Sequence, residues 1–425
     1  MVMRFRILSK KLAGALLCSS FLFGCASYVD HTKQLRESVY NNQYDEALKR
    51  LEKSPIKTQS RNRLLYRLEK STILDRLGKL KASRKELLEA DRIIDELYTE
   101  SISRGAASFL VNDDLKEYAG EDYEKVAVHT MLAMSFLEDN RLTSARVEAK
   151  KINSRLRDIV DKYGDSYTKY TQDAFALFIS GLIFEALGEY DEAIIDYKKS
   201  LKTYESGFLQ GNMVPTSLVK SLYVCALRRN RDKIIKRLKD DYSEDVEGLS
   251  DLDASIIFIG YGFPVVPKQS KSFILNSGNG ILRYSWPIIP NRFSPEPDFG
   301  VRFNQNPVAL ELGQDLNRIA RSTLESNRLR MTVKNVARLI AKASAAKEIE
   351  RRAGPLAGLI ANIFAAATET ADTRSWSLLA GRMYIQRVFV SPGQRFKLNE
   401  AGERRLSATS LAEKKIKFVI LKEPR

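Results

Sequence analysis

The chain has 425 residues and a formal net charge of +16, with 44% apolar and 29% charged residues. That apolar share supports buried cores over a length sufficient for two or three domains, and it excludes a largely disordered chain. Two histidines and three cysteines leave too little material for a His/Cys metal centre or a disulfide scaffold. The charge is unevenly placed. Residues 1–24 carry four Lys/Arg and no acid, 25–300 carry 42 of each sign, and 301–425 carry 23 Lys/Arg against 11 Asp/Glu.

At the N-terminus, Arg4, Arg6, Lys10 and Lys11 precede an uncharged run that lasts until Asp30. A basic stretch followed by a short apolar one describes a secretory signal peptide. Leu22-Phe23-Gly24-Cys25 resembles the bacterial lipobox, which implies a signal peptide over 1–24, cleavage between Gly24 and Cys25, and acylation of Cys25. An uncleaved membrane helix and ordinary secretion with a free cysteine are the alternatives. Two or more acyl chains give stable attachment to a bilayer. Ala26 stands where an Asp would, by analogy with enteric bacteria, hold the protein at the inner membrane, so the expected location is the periplasmic face of the outer membrane. Residues 25–30 read as a short lipidated tether. Cys225 then remains as a lone thiol in an apolar helical pattern, expected to be buried.

Internal repetition organises the next 215 residues (31–245). In AFALFISGLIFEALGEYDEAIIDYKKSLKTYES, residues 174–206, Leu177, Gly181 and Phe184 share a face of one helix and Gly188 ends it. Tyr190 follows the turn, and Ala193, Tyr197 and Ser200 line a second helix. This spacing resembles the tetratricopeptide repeat (TPR), in which small residues such as Gly181 and Ala193 let two antiparallel helices approach closely. Weaker copies place Ala47, Ser83 and Ala145 in the position of Ala193. Insertions between copies carry Tyr118, Tyr123, Tyr163, Tyr167 and Tyr170, which either seal the enlarged gaps or hold a partner. The basic run 228–239 reads as a solvated capping helix.

From about residue 246 the composition changes, with seven of the twelve prolines between Pro264 and Pro307. Strands are expected near 255–260, 281–286, 381–390 and 416–421. A helix is expected over 311–351 with a break near Asn327. Residues 353–368, AGPLAGLIANIFAAAT, carry no charge and are too short to span a bilayer. They read as a buried helix, or as a surface that meets lipid or another subunit. In Ala371-Asp-Thr-Arg-Ser-Trp376, Asp372 and Arg374 can pair and Trp376 can stack on Arg374, making either a structural corner or a ligand site.

That segment, together with Asn112-Asp113, Tyr118, Gly120 and Tyr123-Glu124, resembles a family of uncharacterised bacterial lipoproteins that join TPR-like helices to a C-terminal β-rich domain. The resemblance implies architecture and location, not an activity. The chain departs from the pattern at Ser377-Leu-Leu-Ala-Gly381, where a Pro is usual.

The expected fold is α+β and mainly α: a TPR-like α-solenoid over 31–245, then a mixed domain over 246–425 with a C-terminal β-sheet. No nucleophile elbow, zinc-protease, Cys-x-x-Cys or phosphate-loop pattern occurs, so the reading is non-enzymatic, without cofactor or metal. Two functions are expected to compete: a lipid-anchored periplasmic scaffold whose groove binds an envelope protein, and a binder of anionic glycan or lipid through the basic C-terminal region. Nucleic acid is not an expected partner.

Overall fold

The computed structural model describes residues 28–103, 113–164, 170–207, 214–277, 280–291, 296–367, 369–399, 407–409 and 411–422. Gly24, Cys25, Asn112 and Tyr167 lie outside the described residues. Helix α1 (Tyr28–Tyr40) starts earlier than the tether expectation allows. Tyr28 is buried, and its hydroxyl donates to Glu69 Oε1 at 2.5 Å. A buried phenol needs such a partner, so residues 28–30 belong to the folded body and the tether cannot extend over them.

Among the described residues, nine more helices of ten residues or longer follow before the sheet, and with α1 they form antiparallel pairs: α2 (Tyr44–Lys53), α3 (Arg63–Arg76), α4 (Leu80–Ser103), α5 (Asp122–Glu138), α6 (Leu142–Tyr163), α7 (Ala174–Ala186), α8 (Tyr190–Glu205), α9 (Thr216–Arg228) and α10 (Asp232–Asp241). The pairs α1/α2, α3/α4, α5/α6, α7/α8 and α9/α10 each turn through one residue with positive φ: Asn42, Gly78, Asn140, Gly188 and Asn230. Asn and Gly tolerate this conformation best and commonly end helices. At Gly188 (φ +77°), the N–H groups of Gly188 and Glu189 bond back to the carbonyls of Glu185 and Phe184, both at 2.9 Å. Five residues beyond the turn stand Ala47, Ser83, Ala145 and Ala193, all buried, and in the fifth pair Ile235. That bulky residue hides the fifth copy from a search keyed on small residues.

The C-terminal part builds a four-stranded mixed sheet in the order β10 (Ile416–Lys422), β1 (Ala254–Tyr261), β7 (Arg382–Val390), β6 (Glu311–Asp315), and a sheet of short strands in the order β5 (Asn306–Pro307), β4 (Arg302–Phe303), β8 (Phe396–Asn399), β9 (Ser407–Thr409). The β1/β10 pair is parallel, with Phe258 opposite Val419, and the β1/β7 and β6/β7 pairs are antiparallel. All eight residues of β1 are buried because both faces of the sheet are covered. Ile257, Ile259 and Tyr261 join the helices in one apolar cluster that reaches from Tyr28 to Ile416. Ala254, Ile256 and Phe258 face a smaller cluster with Phe299, Tyr384 and Phe396. The expected boundary at 245/246 marks a change of secondary structure, whereas the main core is common to both parts. The protein is mainly helical with a small mixed sheet, an α+β fold.

Two further features project from this body. A hairpin joins β2 (Gln269–Ser277) to β3 (Gly280–Ile288). Helix α11 (Leu316–Ala353) is capped by Asp315, which accepts from the Arg318 N–H at 3.0 Å. It runs unbroken through the expected break at Asn327, since an Asn costs only tenths of a kcal/mol in a helix interior. The start of the expected helix, 311–315, is instead strand β6. Gly354 (φ +88°) reverses the chain, and α12 (Pro355–Ala367) packs back along α11. A Cβ at Gly358 would overlap Glu350, so the glycine permits this close approach.

Candidate functional site

The repeat-signature residues act inside the body. A Cβ at Gly181 would overlap the Tyr197 ring, so the smallest residue faces the largest across the α7/α8 pair. Ala193 and Tyr197 are wholly buried, and Tyr190 is half-buried beneath the Arg228 guanidinium, 5.2 Å from its ring centroid. Tyr197 donates to Glu185 Oε2 at 2.7 Å. Glu185 is also held by both terminal nitrogens of Arg387 at 2.7 Å and by Arg228 at 2.8 Å, all fully buried. Burial pushes the Glu185 carboxyl up, but Arg387 and Arg228 outweigh it and hold the group below the usual carboxylate range. Cys225 is buried beside this network, and burial pushes its thiol up.

The segment 371–381 is also internal. Arg374 grips Asp372 with two hydrogen bonds, 2.9 and 2.8 Å, as the sequence suggested. Its remaining donors reach the carbonyls of Lys116 and Asp113 at 2.8 and 2.7 Å. The expected stack of Trp376 on Arg374 does not form. Arg374 lies over Tyr118, 5.4 Å from its centroid, while the Trp376 indole donates to Thr72 Oγ1 at 2.9 Å. The Trp376 N–H meets Glu124 Oε1 at 2.7 Å, and the Ser377 and Leu378 N–H groups meet Glu69 at 2.6 and 3.0 Å. Two buried carboxylates thus satisfy the donors of the turn at 376–379. Burial, then Glu121, raises Glu124 to about 7, while burial also raises Glu69.

These contacts decide what the first helix of each pair faces. Helix α3 holds Trp376 and Ser377, α5 holds Trp376, α7 holds Arg387, and Ser217 of α9 donates to Glu311 at 2.8 Å. Their inner sides are covered by the protein's own C-terminal strands and by residues 374–379. Tyr118, Tyr123 and Tyr170 from the insertions are buried as well, which seals gaps and leaves them unable to reach a partner.

His129 shows what spacing in sequence misses. Its Nδ1 lies 2.8 Å from Glu148 and its Nε2 3.2 Å from Asp91, carboxylates from two other helices. Burial disfavours the imidazolium, but Asp91 and Glu148 more than reverse this, so the His129 pKa rises. Lys151 and Arg155 bind Asp91 at 2.8 Å and Arg155 also binds Asp95 at 2.5 Å, so three basic groups face three carboxylates. Among the described residues, no group of three or more His, Cys, Asp or Glu is placed to hold a metal ion.

The α11/α12 hairpin is held to the body by Lys334 on Asp113, by Arg338 and Lys342 on Glu369 and by Thr332 on Tyr284, and it exposes its apolar side chains. The uncharged stretch 353–368, read as a buried helix or an exposed surface, has its exposed form here: Leu356, Leu359, Ile360 and Ile363 are 71%, 54%, 52% and 52% accessible. Their i, i+3, i+4, i+7 spacing makes one continuous apolar face. Leu329, Val333, Val336 and Ile340 form a second exposed stripe along α11. Around them, residues 316–367 carry ten Lys/Arg against three Glu. Arg351 and Arg352 stand at the tip, both bound to Glu348. The α11 stripe was legible as apolar spacing within a basic helix, but spacing does not tell which apolar face meets the body and which meets solvent. Among the described residues, no helix is long and apolar enough to cross a membrane.

Comparison with protein-family models and with curated proteins gives no significant match to this chain, so its site has to be read from its own residues.

Proposed function

We propose that this protein is a non-enzymatic, lipid-anchored protein of the bacterial envelope that binds an anionic lipid surface through the α11/α12 hairpin. The observation that carries this reading is the exposed, uncharged face of α12 beside a net excess of seven cations over 316–367. An apolar face exposed to water next to Lys and Arg is the composition of an element that lies in a membrane interface. Each cation near an anionic leaflet contributes about 1 kcal/mol, and salt screens that part. The lipobox-like Cys25, three residues before the first described helix, would tether the body at the same surface, on the periplasmic face of the outer membrane.

The helix pairs, with an Asn or Gly turn at each of five positions, support a TPR-like α-solenoid as the rigid frame. A protein partner bound in its groove has less support. Such a groove is lined by first helices, and α3, α5, α7 and α9 are engaged by the C-terminal segments in cis.

The test uses residues 26–425, so that neither the apolar leader nor an acyl group takes part in binding. Sedimentation with vesicles containing anionic phospholipid is expected, weakened between 50 and 300 mM salt (about a 1.5-fold change in Debye length per doubling of salt). It should be lost in Leu359→Glu/Ile360→Glu. Equal sedimentation of the double variant, or none with the parent chain, overturns the reading.

A further inference from the structure

A groove separates the β2–β3 hairpin from α11, with a volume of about 920 Å³. Ligand sites typically span roughly 300–1,000 Å³ and are lined by apolar and aromatic side chains with a few placed charges. This one has Phe273, Tyr284 and Trp286 on one wall, their ring centroids 5.3–5.9 Å apart, and Leu339, Ile340 and Ala343 on the other. The Tyr284 and Thr332 hydroxyls meet at 3.1 Å and fix the hairpin against the helix. From Leu324 to Lys347 the groove follows α11 for roughly 35 Å, given a rise of about 1.5 Å per residue.

Its charges sit at the ends. Lys271 is paired in register with Trp286 and so lies at the Pro287 end, beside Arg328 and Glu325 of α11. Two cations and one carboxylate leave that end one positive charge in excess. Lys347 marks the other end.

We propose that this groove binds one long-chain carboxylate, its hydrocarbon chain along α11 and its single negative charge at the Lys271/Arg328 end. The site is made of residues other than the α12 face, so it does not depend on the surface binding proposed above. A second protein copy or a phosphate-headed lipid is the competing occupant, and the one-charge excess with an apolar lining favours the carboxylate.

The two tryptophans give the test. Trp286 lies in the groove, whereas Trp376 is 1% exposed in the core. Full-length protein with Cys25→Ser is titrated with dibromostearate, whose bromines quench a neighbouring indole, and with its uncharged methyl ester. Saturable quenching is expected from the acid, with at least tenfold weaker affinity for the ester. Trp286→Phe should remove the quenching and leave Trp376 emission unchanged. Lys271→Glu/Arg328→Glu should weaken the acid at least tenfold without affecting the ester. Leu359→Glu/Ile360→Glu should retain full quenching even where vesicle binding is lost, which separates failure of this site from failure of the surface. Non-saturable quenching, equal affinity for acid and ester, a lysophosphatidate that binds tenfold tighter than the acid, or a dimer that shields Trp286 from both probes overturns the proposal.

Discussion

The junction between helices and sheet and the α11/α12 hairpin use opposite chemistry. At the junction, Glu69, Glu124 and Glu185 are buried charges or acids, and each carboxyl meets at least one donor from a distant part of the chain. At the hairpin, large apolar side chains face solvent, and the cations around them pair partly with local Glu348 and Glu325 and partly with Asp113 and Glu369 of the body. Buried polar groups are expensive unless matched, so the junction is complete in itself and specifies how the two parts join. Exposed apolar area is the part left unmatched, and such patches mark interaction surfaces. Substitutions at the two places should therefore differ in what they damage.

The largest effect is expected at Arg387→Ala, which leaves Glu185 buried with only Arg228 to compensate it. Breaking a buried pair from one side costs about 3–5 kcal/mol, to be read as a lower urea midpoint with little change in slope. An unchanged midpoint would show that the junction is not what joins sheet to helices. A smaller effect is expected from pH. Glu124 titrates at about 7 in the folded protein against an ordinary value near 4.5, so the native state binds more protons than the unfolded one between those values. Stability contributed by this group is complete below about 4.5 and declines as pH rises through 7, by ~3 kcal/mol at most. His129 adds to the same trend, because its raised pKa gives stability that is lost as pH rises through the folded value. Melting curves from pH 5 to 8 should show this decline, and Glu124→Gln should flatten it while retaining an acceptor for the Trp376 N–H.

Next comes Gly181→Ala, where the new methyl group overlaps the Tyr197 ring. Overpacking of this kind costs about 1–3 kcal/mol. Gly181→Ala combined with Tyr197→Phe should recover little, because the clash is with the ring and not with the hydroxyl. The smallest effect on stability is expected at the hairpin. Each of Leu359→Ser and Ile363→Ser should change the unfolding free energy by about 0.5 kcal/mol or less, since surface changes rarely do more. Both should still reduce vesicle binding. A loss of several kcal/mol there would mean that α12 belongs to the core, and the contrast between the two regions would fail.

Strand positions were close to those read from the apolar runs: β1, β7 and β10 lie within one or two residues of the expected segments. The α7/α8 pair was equally legible, since Gly181, Gly188 and Ala193 sit at a spacing that only closely packed helices need. The fifth pair was hidden by Ile235, although Asn230 keeps the turn. Of the candidate site, the Asp372–Arg374 pair could be read from two residues of separation. The partners of Trp376 could not, because Thr72 and Glu124 lie hundreds of residues away in sequence.

Periodicity, turn residues and composition are local properties, and they were sufficient for the helix pairs, the strands and the excess of positive charge near the C-terminus. Which face of each element is covered depends on segments far apart in the chain. The first helices α3, α5 and α7 turned inward onto residues 376–378 and strand β7 because Glu69, Glu124 and Glu185 found their donors there. The uncharged 353–368 segment stayed outside because Gly354 folds it back along α11, with Gly358 against Glu350, leaving Leu356, Leu359, Ile360 and Ile363 on the far side. An apolar helix reads the same in sequence whether its face is buried or exposed; only the packing of its neighbours distinguishes the two.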